Sequence, residues 1–332
     1  MRRFFFVFLV LTVFIGLIAG PITGASPKNY VFRLAHITNE NHPIHQGALL
    51  FKKLVETRTK GRVKIEIYPN STLGNASQYA EQIALGAVDM GLNTSGQLQV
   101  FVREYAVVMI PFLFDSYEHA HRVLDGPAGA MLAEKAEAKG FKVLADWEWG
   151  FRAITNNKRP IKTPADLVGL KMRVPPEMQL QEMYKALGAS CNVVAFNELY
   201  MALAQGVVDG QCNPIATIYD QKFYEVQKYL AITNHSYNSM MLVMSKKVWD
   251  PLPADLKKIL QDAAQEVAPV VRKAIVEDEK RLIEEMKKKG MVVTYPDLKA
   301  FREKVKPALE PIAEFAGREF TESFLEYVEE AR

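Results

Sequence analysis

Two arginines stand where a planar, permanently charged side chain could do chemistry. Arg152 lies in Trp149-Gly150-Phe151-Arg152, just past an apolar run that predicts a strand over 142–146. Arg173 lies in Lys171-Met172-Arg173-Val174, which Pro175 and Pro176 cut short. Proline cannot donate to a sheet ladder, so the strand ends there and Arg173 falls near its carboxyl end. Ligands bind at that end in open α/β sheets. A guanidinium fork matches a carboxylate through two parallel hydrogen bonds, so the chemistry on offer is carboxylate capture. Spacing alone also permits ordinary ion pairs, Arg152 with Asp146 or Glu148 and Arg173 with Glu177.

The elements that must position these groups form successive β-α-β units. A helix is expected over 177–187, an apolar segment over 191–196, a second helix over 197–205, and then Asp209-Gly210-Gln211-Cys212-Asn213-Pro214. Phe196 precedes the second helix by one residue, near the same strand tips as Arg173 and Asn213. An aromatic face beside two arginines and an amide would suit a carboxylate on a carbon chain, although a core role is the ordinary one for Phe196 and is open for Trp147 and Trp149. Upstream, alternation predicts strands over 30–37 and 63–68, with helical spacing over 45–57 and 75–85. Gly86-Ala87-Val88-Asp89 and Gly206-Val207-Val208-Asp209 each follow a helix and precede an Asn by four residues, an echo that suggests two lobes of similar build. The region around Gly150 and the stretch 234–244 are the expected crossings between them. Apolar positions over 253–290 predict one long helix, roughly 55 Å at about 1.5 Å per residue, kinked at Pro269 and long enough to lie along both lobes.

The chain has 332 residues, 49% apolar and 24% charged, with a formal net charge of +3, and Arg2 and Arg3 supply two of those charges. That balance fits two globular domains and argues against a phosphate-tracking, nucleic-acid-binding surface. Met1-Arg2-Arg3 followed by an apolar run to Ala19 and small residues at 23–25 reads as a secretory signal cleaved after Ala25, with an uncleaved N-terminal anchor as the alternative. Cys191 and Cys212 are the only cysteines; export permits a disulfide, but they fit no zinc pattern and carry no expected structural role. His36, His42 and His45 cluster, as do His119 and His121, yet no acidic or cysteine ligand has metal-site spacing, so caps or surface positions are expected and no metal. No phosphate loop, dinucleotide fingerprint or nucleophile elbow occurs, and no cofactor is expected.

Taken together, Arg173, Phe196, Glu198-Leu199-Tyr200, Asp209-Gly210-Gln211, Asn213-Pro214, the run 223–230 and Thr233-Asn234-His235 closely resemble the solute receptors of TRAP transporters. Asn39-Glu40-Asn41-His42-Pro43, Leu73-Gly74 and Gly86–Met90 fit the same pattern, so the resemblance covers nearly all of the chain after the leader. It implies an α/β, two-lobed periplasmic-binding-protein-like fold with a hinge and a long helix spanning both lobes. Beyond a signal at 1–25, lobe I would comprise 26–150 and 239–278, and lobe II 151–238 and 279–332. It implies a non-enzymatic, exported, periplasmic receptor that hands a small-molecule carboxylate to the small and large integral-membrane subunits of the transporter. By the same resemblance Arg173 holds the ligand carboxylate, Arg152 is the second cleft arginine, Asn213 supplies an amide and Phe196 packs on the ligand. In the first lobe Asn39, Glu40, His42 and Thr94 are the candidate contacts. Two departures bear on the ligand. Cys212 stands where the family often has Glu, and Ala76 and Thr94 replace acidic residues of the sialic-acid branch. They point away from sialic acid, and the Asn39-Glu40-Asn41-His42-Pro43 loop looks more like receptors for dicarboxylates and sugar acids such as uronates. The rival readings are a periplasmic enzyme acting on a carboxylate, with Glu40 or His42 as base, and a sensory receptor for a membrane kinase.

Overall fold

The computed structural model describes residues 28–332; the expected signal segment lies outside the described residues. Twelve strands form two sheets. The first sheet contains β1 (Tyr30–Ala35), β2 (Val63–Tyr68), β3 (Met90–Thr94), β4 (Phe141–Asp146) and, from far downstream, β11 (Met240–Ser245), in the order β2-β1-β3-β11-β4. β1 is parallel to β2 and β3, with Phe32 opposite Ile65 and Leu34 opposite Met90, whereas β11 runs antiparallel between β3 and β4. Alternation in β2 leaves Val63 and Ile65 buried while Lys64 and Glu66 face water.

The second sheet contains β5 (Gly150–Asn156), β6 (Lys171–Val174), β7 (Ser190–Val193), β8 (Gly210–Pro214), β9 (Tyr229–Ala231) and β12 (Val292–Thr294), in the order β12-β9-β5-β8-β6-β7, with β10 (Tyr237–Asn238) added beside β5. Both of its faces are covered. Met172, Val174, Leu180, Met183, Tyr184 and Phe301 fill one core, and Ala153, Leu203, Ile218, Phe223 and Leu230 fill the other. Burial on both sides suits the apolar runs of these strands.

The chain passes between the sheets at 147–149 and again at Ser239, the single residue between β10 and β11. The two passages are tied together, since Trp147 N donates to Met240 O at 2.8 Å and Arg152 N donates to Ser236 O at 2.9 Å. Gly150, at φ +116, makes the turn into β5 in a conformation that L residues rarely adopt, with Tyr117 Oη and Pro214 Cβ closing the space a side chain would need. The third passage is the helix Ala254–Lys288, which runs unbroken through Pro269. Its buried stripe begins in the first core with Leu256, Leu260, Val267, Val271 and Ile275 and ends in the second lobe with Leu282 and Met286. One helix face is thus shared by both lobes. The closing segment also divides. Phe301 and Val305 pack in the second lobe, whereas Ile312, Phe324 and Val328 return to the first core.

Candidate functional site

The cavity between the sheets is built from three adjacent strands of the second lobe. β6 and β8 are parallel, and their carboxyl ends carry Arg173 and Asn213. β5 runs the opposite way, so Arg152, near its beginning, lies opposite Pro214 at the end of β8. Both arginines therefore reach the same sheet edge by different routes. The sequence pattern placed Arg152 just beyond the strand now labelled β4; the structure places it within β5 because Gly150 reverses the chain into the other sheet.

Both arginines are 2% exposed. Arg152 donates from Nε to Cys212 Sγ at 3.2 Å and from Nη2 to Cys212 O and to Asn213 Oδ1, the last at 3.4 Å. Arg173 donates from Nε to Val194 O at 2.9 Å, while its Nη2 is buried with no partner among the described residues. The ion pairs open to them on spacing alone do not form. Glu148 instead pairs with His121 at 2.6 Å, and Asp146 accepts from Arg272 through its backbone carbonyl. Burial and the neighbouring Arg152 charge depress Arg173 to about 10, which still leaves it protonated at neutral pH. A buried, charged and incompletely bonded donor is costly unless an anion meets it.

Arg173, Arg152, Asn213, Phe196 and Thr94 line one cavity of about 260 Å³, closed further by Trp149, Glu177, Asn75, Gln78, Gln97 and Ile37. Phe196 starts a short turn, Phe196–Glu198, and meets Trp149 edge-on with centroids 6.3 Å apart. The first-lobe wall comes from helix starts. Asn75 caps the helix Ala76–Leu85 with Gln78 returning the bond, and Thr94 caps Ser95–Leu98 with Gln97 doing the same. In both capping boxes the glutamine side-chain oxygen is used by the backbone. Neither amide nitrogen donates a hydrogen bond among the described residues, and both side chains line the cavity.

Asn39, Glu40 and His42 lie outside the cavity lining. Their loop reaches across to the second lobe instead. Asn39 Nδ2 donates to Asp220 O at 3.2 Å, and His42 Nε2 lies 3.3 Å from Thr217 Oγ1. His42 also caps the helix Pro43–Arg58, accepting from Ile44 N at 3.2 Å, and stacks on Trp149 at 5.3 Å. Glu40 is exposed. Of the lining residues that the sequence did not single out as contacts, Gln78 and Gln97 carried a signal, because each stands three residues after a capping Asn or Thr. Spacing offers Glu177 only as an ion-pair partner of Arg173. Cys191 and Cys212 are free, the second buried against Arg152.

A two-lobed α/β fold with a cationic, aromatic-walled cavity between its sheets defines a solute receptor for anions. The profile of DctP, Bacterial extracellular solute-binding protein, family 7, matches residues 34–315, and the chain belongs to that family, the solute receptors of TRAP transporters. It is similar to the 2,3-diketo-L-gulonate-binding periplasmic protein of Escherichia coli, 37% identical over 270 residues, covering 81% of this chain and 82% of that protein. It is also similar to the C4-dicarboxylate-binding periplasmic protein of Rhodobacter capsulatus, 36% identical over 296 residues, with 87% and 88% covered. Among solved structures, a TRAP periplasmic solute-binding protein from Polaromonas bound to D-erythronate superimposes with a TM-score of 0.86 at 38% identity, covering 90% of this chain and 98% of that one.

Proposed function

We propose that this chain is the exported receptor of a TRAP transporter, capturing a small organic carboxylate, a sugar acid or C4-dicarboxylate, for delivery to the small and large membrane subunits. The observation that carries the reading is the pair of buried guanidiniums, one with an unpartnered nitrogen, facing a cavity between two lobes. A ligand carboxylate at Arg173 completes its hydrogen bonding. Arg152 is braced by Cys212 and Asn213 and adds a second positive charge. Phe196 and Trp149 supply an apolar wall for the carbon chain. The free amide groups of Gln78 and Gln97 then meet the remaining oxygens. Ligand favours the closed arrangement by as much as it binds that state better than an open one.

The test is mass spectrometry of ligand carried through purification, with a thermal-shift screen of sugar acids and dicarboxylates. A bound organic acid, recovered chemically unchanged after incubation, supports the receptor reading. A protein that carries no acid and gains no thermal stability from any of them overturns it, and conversion of the acid would make the chain an enzyme.

A further inference from the structure

We propose that Glu177 selects hydroxylated monocarboxylates over dicarboxylates of the same length. The inference rests on the carboxylate-receptor reading and names the ligand class within it. Glu177 follows Pro175 and Pro176 and occupies the position just before the helix Met178–Ala186, yet its side chain makes no capping bond to that helix. It turns into the cavity instead, 2% exposed, and its Oε2 is buried without a hydrogen-bond partner among the described residues. The carboxyl reaches the first lobe at Gly96. A Cβ there would overlap the Glu177 carboxyl and come within 2.6 Å of Met109 Sδ, so the glycine makes room for it.

Burial raises Glu177 to about 6, with Arg152 and Arg173 holding it down, so at neutral pH it is an ionised, acceptor-only group. A buried acceptor without a donor is costly, and the protein leaves the donor to the guest. Once the arginines hold one ligand carboxylate, a hydroxyl on the remainder of the molecule donates to Glu177. A second carboxylate offers no proton and faces a like charge at reduced dielectric. A site built to bond a hydroxyl rejects the analogue that lacks it.

The test uses length-matched pairs in calorimetric titrations at pH 7.5: D-erythronate against succinate, and D-galactonate against adipate. The wild-type protein should bind the hydroxy acid of at least one pair tenfold or more tighter than its diacid. In Glu177→Gln the amide can donate to a carboxylate. Hydroxy-acid affinity should fall about tenfold to a hundredfold, the worth of a hydrogen bond to a charged group, and diacid affinity should rise. Gly96→Ala displaces the same carboxyl from the opposite lobe and should shift the ratio in the same direction, which keeps the test decisive if Glu177→Gln fails to fold. A wild-type preference for diacids, or a ratio unchanged in both variants, overturns this assignment while leaving carboxylate capture intact. Absence of binding by any of the acids overturns the receptor reading and this one with it.

Discussion

The two walls of the cavity are built on different physical terms. The second-lobe wall holds buried charge at strand ends, with Arg152, Arg173 and Glu177 each 2% exposed. The first-lobe wall holds neutral groups, Asn75, Gln78, Thr94 and Gln97, which also cap two helices. In the proposed reading, charge fixes where and in which direction an anion sits, and the neutral wall, whose oxygens serve the backbone, bonds what the anion carries behind it. Affinity should therefore be concentrated on one lobe and discrimination shared with the other.

The largest expected effect is at Arg173. Arg173→Ala should cost about 3–5 kcal/mol of binding to whichever acid the wild type retains, the range for removing one partner of a buried pair. Titration calorimetry measures it directly. Near-wild-type affinity would mean that the second-lobe wall is not the anchor.

His42 gives a smaller effect, on stability rather than binding. It lies behind the cavity, where burial and the His36 charge depress it to about 3. Its ordinary value is near 6.5, so below that pH the unfolded chain binds more protons and stability falls as pH falls. His42→Asn keeps an oxygen that can cap the helix while removing the titration. Between pH 7.5 and 5.5 the variant should lose about 1.4 kcal/mol less stability than the wild type in urea unfolding, by linkage across the ordinary imidazole value. Carboxylate affinity should stay close to wild type, because His42 touches Trp149 and Thr217 rather than the cavity. A large loss of affinity would return the residue to the ligand wall.

The same contrast explains what could be read from the chain. Arg173 was legible because two prolines end its strand, and the long helix because its apolar stripe persists from Leu256 to Met286. Arg152 was legible as a charge but not as part of an antiparallel strand, since only the reversal at Gly150 brings it beside Pro214. In the first lobe, Asn39 and His42 attracted notice through a motif and lie against the second-lobe helix Ile215–Asp220 instead. Gln78 and Gln97 read as routine capping residues, because a capping box reports the helix start and not what lies in front of it. The closing helices carry amphipathic faces without an address, so their division between two cores depends on tertiary packing alone.

The smallest expected effect is at Gln97, and it measures the neutral wall by itself. Its side-chain oxygen accepts from Thr94 N at 3.0 Å, and the side chain lines the cavity. Gln97→Ala removes one neutral donor from the guest and should weaken binding by about 1 kcal/mol, roughly fivefold, against a loss of a hundredfold or more at Arg173. The loss should also depend on the ligand, being greater for acids with a long hydroxylated tail than for short ones, whereas Arg173→Ala should weaken all acids alike. An equal loss at both positions would mean that the lobes share the anion itself. A loss at Gln97 that ignores tail length would mean that the capping amide supports the wall without touching the guest.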